Sequence, residues 1–220
     1  LLESGRSVSA CIRRTSDDLK NLKDIHKKLY IYNFDLDERD SIKKAALEIF
    51  SNKDQKIYGL VNCAGLAHGA LFAMTPIEEM ERIFRINYFN QLYFTQLISK
   101  KLVRNKSGSI INIASTSGIF GDEGTIAYGG SKAALIHSTK VLATELGKYN
   151  IRVNSISPAL VETQMSEQMD QKSKDKLNSR KSLEGVILPK DISSLAKFLL
   201  SEESQKISGQ NFRVDQGMFA

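Results

Sequence analysis

Tyr128 and Lys132 close the run Tyr128-Gly129-Gly130-Ser131-Lys132, and on a helix positions i and i+4 share one face. A phenol with a pKa of about 10 is mostly protonated at neutral pH, and a neighbouring ammonium favours its phenolate. Shifting it by about three units takes roughly 4 kcal/mol of differential stabilisation. A lysine acting with a second positive charge in a partly dry cleft supplies that order of energy. The result is a proton donor and acceptor poised near its working pH. Ser115 precedes Tyr128 by 13 residues, and its hydroxyl is suited to holding a substrate oxygen by hydrogen bond. Tyr-x-x-x-Lys alone occurs on many surface helices, so its meaning depends on what surrounds it.

The surrounding elements are legible from hydrophobic period. Apolar runs of strand length at Ser7–Ile12, Leu29–Asp35, Tyr58–Ala64, Ser109–Ala114, Ile151–Ser157 and Asn211–Val214 alternate with helix-period segments. That alternation predicts parallel strands joined by crossover helices. Several runs are apolar throughout, so their sheet is expected to be covered on both faces. One helix is predicted over Ser41–Phe50, with Ile42, Ala45, Ala46 and Ile49 on one stripe, and a later one carries Ile192, Leu195, Ala196 and Leu199. Thr75-Pro76 followed by Glu78 reads as an N-cap hydroxyl and a first-turn proline, opening a helical stretch to about Leu102. The predicted fold class is α/β, a doubly wound parallel sheet of Rossmann-like type in one domain over residues 1–220. Its ligands bind outside the carboxyl ends of the strands. Asn62-Cys63-Ala64-Gly65 and Ser115-Thr116-Ser117-Gly118 both follow predicted strands.

Composition narrows the classes further. The 220 residues, 41% hydrophobic and 25% charged, suffice for one sizeable core. No run approaches the roughly 20 apolar residues of a spanning helix, and Leu1-Leu2-Glu3-Ser4-Gly5 lacks the pattern of an export signal. The expectation is a cytoplasmic protein without membrane attachment. The formal charge is +6, but acids are interspersed with the bases. The stretches Lys100–Lys106 and Lys172–Lys181 have no aromatics interleaved for base stacking, which argues against nucleic acid. Cys11 and Cys63 lie in apolar runs and are expected as buried, reduced core residues rather than a disulfide or metal ligands.

Taken in order, Asn62-Cys63-Ala64-Gly65, Ile86-Asn87, Ile111-Asn112-Ile113-Ala114-Ser115, Tyr128 with Lys132, Arg152-Val153-Asn154-Ser155-Ile156-Ser157-Pro158, Ser208-Gly209-Gln210 and Val214-Asp215-Gln216-Gly217 resemble the classical short-chain dehydrogenase/reductase family. The resemblance runs from about Leu1 to Met218. It implies hydride transfer between a nicotinamide dinucleotide and a carbonyl or hydroxyl carbon, with Ser115, Tyr128 and Lys132 as catalytic residues and Asn87 as a fourth. The oxidised nicotinamide ring is then the second positive charge. The asparagine's main chain, in that family, holds a water that links the lysine to solvent. Asn62, Ala64 and Gly65 are implied to line the adenosine side, Asp35 and Leu36 to meet the adenine, and Pro158, Val161 and Thr163 to lie beside the carboxamide. Ala159 and Gln216 stand where glycines are usual. The family's first strand and Thr-Gly-x-x-x-Gly-x-Gly phosphate loop belong ahead of Leu1, so about 20 residues are expected to precede it.

Arg13 and Arg14, after the first strand-like run, offer guanidinium forks suited to a 2′-phosphate, so NADP is expected over NAD, although Asp17 and Asp18 lie near. Residues 162–185, with Met165 and Met169, fall where the family carries its substrate lid. Of the histidines, His26 and His137 fall in helical segments, whereas His68 is a candidate for the cleft. Ser182-Leu183 to Asp191 and Phe198–Gly209 look most like 3-oxoacyl-(acyl-carrier-protein) reductases, with Glu184-Gly185 where Gly-Arg is usual. That implies a 3-oxoacyl thioester substrate, an acyl carrier protein as partner and a homotetramer. The tetramer is built through long helices ending near Leu102 and Tyr149, with Gly129, Gly130, Ala133 and Ala134 permitting close packing. The alternatives are a sugar or small-alcohol dehydrogenase, and a non-catalytic scaffold with the same fold.

Overall fold

A computed structural model describes residues 1–167 and 169–218. The strands are β1 (Val8–Ile12), β2 (Leu29–Asn33), β3 (Gly59–Asn62), β4 (Gly108–Ile113), β5 (Ile151–Pro158) and β6 (Asn211–Val214). All their pairings are parallel, so each pair needs a crossover. Helix α1 (Asp17–Ile25) joins the first two strands and α2 (Arg39–Ser51) follows the second. Then come α3 (Ile77–Phe84), a π turn (Arg85–Phe89) and α4 (Asn90–Asn105) as one continuous stretch, and α5 (Ile126–Gly147) leads into β5. Short helices α6 (Gln164–Glu167) and α7 (Gln171–Asn178) precede α8 (Pro189–Leu200). Each predicted strand is present, within two residues of its expected bounds.

The sheet comes in two pieces. β1 pairs with β2, and β3, β4, β5 and β6 lie side by side in that order. Every residue of β5 and all but the last of β4 are buried, in keeping with cover on both faces. Adjacent residues face opposite ways: Ile110 and Val153 pack with Ile42, Ala45, Ile49, Phe94, Ile98 and Leu102. Ile111 and Ile156 pack on the other side with Leu199 and Leu200. The stripe foreseen on α2 is thus core. Cover fails at β1 and β3, the terminal strands of their pieces, where Val61 is 38% exposed. For the same reason Cys11 is only half-buried and Cys63, just past β3, is exposed, which corrects their assignment to the core. Both are free thiols, as expected.

A second correction concerns Thr75. Helix α3 begins at Ile77 with Pro76 as its cap residue and no side-chain cap. The Thr75 hydroxyl instead donates backwards, to the carbonyls of Ala70 and Leu71. A hydroxyl within reach of carbonyls in the preceding turn is satisfied locally and is unavailable to the helix ahead.

Two buried asparagines of the sheet belong to one hydrogen-bonded chain. Asn62 and Asn112 are register partners on β3 and β4. Asn62 Nδ2 donates to Thr95 Oγ1 of α4 (2.9 Å) and Asn112 Oδ1 (2.8 Å), and Asn112 Nδ2 donates to Thr139 Oγ1 of α5 (2.9 Å). The threonines donate on to Gln91 and Leu135 carbonyls, so both amide nitrogens find acceptors and α4 and α5 are tied through two strands. Asn112→Leu orphans a buried donor and should destabilise the fold by about 1–3 kcal/mol. A urea midpoint equal to wild type would contradict this account of the chain.

Candidate active site

The carboxyl end of β4 and the turn after β3 meet at Lys132. Ser115 leaves β4 in an extended conformation, and its Oγ accepts from Ser117 N (3.1 Å). Tyr128 and Lys132 occupy the first two turns of α5, so the expected shared face is real: Lys132 Nζ lies 5.8 Å from the Tyr128 ring centroid. Lys132 is 4% exposed, and its ammonium donates to the Ile113 carbonyl at 2.8 Å.

Electrostatics here differ from the expectation. Burial pushes the Tyr128 phenol above its ordinary pKa, and hydrogen bonding with the Ser115 side chain only partly opposes it. Lysine does not acidify the phenol in the protein alone, because removing it from water penalises the phenolate more than its neighbours favour it. Lys132 itself is pushed from 10.5 down to about 8 by burial, with Cys63 nearby acting the other way. The lysine, rather than the tyrosine, is the group brought nearest to neutral pH, losing its charge as pH rises through about 8.

Two glycines make the arrangement possible. A Cβ on Gly129 would stand 2.5 Å from the Ser117 carbonyl, and one on Gly118 would stand 2.7 Å from the Ala133 nitrogen and the Lys132 carbonyl carbon. The Ser115–Gly118 turn and helix α5 therefore meet backbone to backbone, which sets Ser115 against Tyr128. Gly129 thus serves a close contact inside the chain, and a Cβ on Gly130 would stand 3.2 Å from the Phe84 ring.

Asn87 sits in the π turn at 0% exposure. Its Oδ1 accepts from Leu66 N (2.8 Å), and its Nδ2 donates to Leu66 O (2.9 Å) and Ser131 Oγ (3.2 Å). Ser131 Oγ in turn donates to the Tyr128 carbonyl (2.7 Å). Asn87 therefore locks the turn after β3 onto α5. A π turn inside a helix often marks a functional position, and nothing in the local pattern announced it.

On the nucleotide side, Gly65 is the informative residue. A Cβ there would come within 3.0 Å of Asn87 Oδ1 and 3.6 Å of Lys132 Nζ, so glycine keeps open a cradle that any side chain would fill. With Cys63 and Ala64 exposed beside it, this small-residue turn next to a buried cation suits the close approach of a nicotinamide dinucleotide. The Asn62 side chain points inward to its hydrogen-bonded chain, leaving its backbone for that side. Arg13 and Arg14 are exposed directly after β1, without an ion pair among the described residues. Asp35 is half-buried after β2, and the Leu36 side chain is in the core at 8% exposure, so only its backbone is offered to a ligand. His68 is half-buried, and its Nδ1 lacks a hydrogen-bond partner among the described residues.

Pro158 ends β5 in a buried position and Val161 bridges to Ile187, while Thr163 lies exposed at the start of α6, where its Oγ1 accepts from Ser166 N. That bridge closes the base of the 162–185 excursion. Gln216 holds the same base: its carbonyl accepts from Ser182 N (2.9 Å) and Leu183 N (3.0 Å), and its Nε2 donates to the carbonyls of Leu183 (3.3 Å) and Glu184 (3.1 Å). It does so in the left-handed region, at φ 55°, where a non-glycine residue is uncommon. The departure from glycine is thus compensated by amide bonds, a role that the sequence does not disclose.

A sequence profile of the family described as enoyl-(acyl carrier protein) reductase matches residues 1–219. The 3-oxoacyl-(acyl-carrier-protein) reductase of Thermotoga maritima is 32% identical over 200 residues, spanning 91% of this chain and 81% of that protein. Human (3R)-3-hydroxyacyl-CoA dehydrogenase is 33% identical over 161 residues, 73% of this chain and 62% of that protein. Among solved structures, 4-hydroxyisoleucine dehydrogenase complexed with NADH superposes with a TM-score of 0.91 at 29% identity, covering 99% of this chain and 90% of that one. The fold and these relatives define an NAD(P)-dependent oxidoreductase. The chain belongs to the short-chain dehydrogenase/reductase family. Among the described residues no helix is long and apolar enough to cross a membrane, and no cluster of metal-ligating side chains occurs.

Two measurements probe the site. Gly129→Ala forces a methyl into the Ser117 carbonyl and should cost about 1–3 kcal/mol of stability together with most of the turnover; wild-type kcat and Tm in that variant would refute the packing argument. Lys132 has a folded pKa depressed to about 8, so between pH 8 and 10.5 the unfolded chain holds a proton that the folded one has released. Wild-type stability should then rise with pH in that window, by a total of about 3 kcal/mol. Lys132→Met should be more stable than wild type at pH 7, with the difference shrinking towards pH 10, and a constant difference would refute the burial account.

Proposed function

We propose that the protein is an NADP(H)-dependent carbonyl reductase whose substrate is a 3-oxoacyl thioester. The observation that carries the chemistry is the convergence of Ser115, Tyr128 and a buried Lys132 at the strand ends, beside the open cradle at Gly65. When bound, the reduced nicotinamide supplies the hydride. Ser115 holds the carbonyl oxygen, and Tyr128, kept protonated by its raised pKa, delivers a proton to that oxygen. Lys132 stabilises the phenolate left behind, and Asn87 holds the path by which the proton is restored. On the nucleotide side Asn62, Ala64 and Gly65 border the adenosine portion, Asp35 and the Leu36 backbone meet the adenine, and Pro158, Val161 and Thr163 flank the carboxamide.

Arg13 and Arg14, exposed and without ion pairs among the described residues, support the preference for NADP over NAD. Similarity to 3-oxoacyl-(acyl-carrier-protein) reductases supports the thioester, and the excursion at 162–185 is read as the substrate lid. Its α7 carries Lys172, Lys174 and Lys176, a basic surface suited to an acidic carrier protein. Homotetramer assembly through α4 and α5 and a cytoplasmic location complete the reading.

Tyr128→Phe should abolish turnover of a 3-oxoacyl thioester while NADPH affinity, followed by cofactor fluorescence, stays within about twofold. Undiminished turnover would sink the assignment, and absence of NADPH binding by the folded full-length protein would favour a scaffold. The pH dependence follows from Lys132. Its ammonium is lost as pH rises through about 8, so kcat/KM for reduction should be flat from pH 6 to 8 and fall about tenfold per unit above.

A further inference from the structure

The turns that follow β2 and β3 hang on one short stretch of helix. Asp37 receives Arg85 Nε at 2.9 Å and Arg82 Nε at 3.4 Å. Asn90, at 0% exposure, donates Nδ2 to the Leu36 carbonyl (2.6 Å) and accepts from Arg39 Nε (3.3 Å). From the same stretch Gln91 Nε2 donates to the Ala64 carbonyl (2.6 Å), and Asn87 bonds both backbone groups of Leu66. Four of these five side chains belong to the π turn or to the first two residues of α4 after it, and Arg82 lies a turn earlier in α3. The π turn changes the phase of the helix, and it is there that buried Asn87 and Asn90 both reach loops.

The shape of the turn after β2 is set locally: Asp35 Oδ1 accepts from Asp37 N (2.9 Å), and Asp35 N donates to Ser41 Oγ (2.9 Å). What the bonds from Arg85 and Asn90 settle is the placement of that turn relative to the turn after β3. The Arg85 and Asp37 side chains are 46% and 29% exposed, a setting in which an ion pair adds little to global stability. Its effect is therefore confined to where Asp35 and Leu36 sit.

We propose that Arg85 and Asn90 are positioning residues for nucleotide binding, holding the Asp35–Leu36 turn in register with the Ala64–Leu66 turn so that both grip one dinucleotide. This rests on the reading above that Asp35 and Leu36 meet the adenine. The ligand portion concerned is the adenosine half, and the nicotinamide half is untouched.

The test is calorimetric binding of ADP-ribose and of reduced nicotinamide mononucleotide to the full-length protein. Wild type is compared with Arg85→Gln, Arg85→Lys, Asp37→Asn, the Arg85→Gln/Asp37→Asn pair, Asn90→Ala and Asp35→Ala. Arg85→Gln, Asp37→Asn and Asn90→Ala should each weaken ADP-ribose about five- to tenfold and leave the mononucleotide unchanged. The pair should be no weaker than either of its singles, and Arg85→Lys should restore most of the affinity. Tm in the Arg85 and Asp37 variants should stay within about 4 °C of wild type. Wild-type ADP-ribose affinity in Arg85→Gln and Asp37→Asn, with Asp35→Ala impaired, overturns the positioning role and leaves the adenine reading standing. Wild-type affinity in Asp35→Ala overturns both. Equal loss of both ligands together with a large fall in Tm also overturns the role, since it would mark general loosening.

Discussion

Burial of the Lys132 ammonium is the constraint around which the rest is arranged. Taking it out of water depresses its pKa to about 8, an unfavourable contribution of about 3 kcal/mol at neutral pH. One carbonyl, that of Ile113, receives it. A cation so placed must be held by its surroundings, because a small outward movement would regain hydration. Helix α5 is pinned by the backbone contacts that Gly118 and Gly129 allow, and by the link from Ser131 to Asn87. The absence of a side chain at Gly65 leaves the opposite side open for a ligand.

Amides do much of the holding. Asn62 and Asn112 run between helices through the interior of the sheet, while Asn87, Asn90 and Gln91 reach from the helical stretch to the loops beyond the strand ends. An amide both donates and accepts, so it can join two backbone segments that have no direct hydrogen bond to each other. Loops at the strand ends lack the ladder that holds the strands themselves. In this chain side-chain amides stand in for that ladder, and the same residues that complete the fold decide where a dinucleotide can lie.

The fold and the site were not equally legible. Strand and helix positions followed from hydrophobic period because burial selects the residue types directly, as on the α2 stripe. Ser115, Tyr128 and Lys132 stood out because they fall within an ordered set of motifs that resembles one family; helical spacing puts the last two on one face but singles out neither. Thr75 and Cys63 were misread. A threonine before proline looks the same whether its hydroxyl bonds forwards or backwards, and a cysteine in an apolar run looks buried until its strand proves to be a terminal one. A glycine in a helix does not say which neighbour requires it.

The order of residues along the chain was thus enough to specify the α/β class and the parallel strands, since both depend on local period, while the candidate proton-moving groups came from the resemblance of the ordered motifs. Tertiary structure decided their state. Whether the phenol is made more or less acidic depends on the balance between desolvation and charges brought from distant segments, and that balance came out against the phenolate and against the ammonium. It also decided that a π turn would gather Asn87, Asn90 and Gln91 around two separate loops, because contacts between segments tens of residues apart have no signature in local sequence.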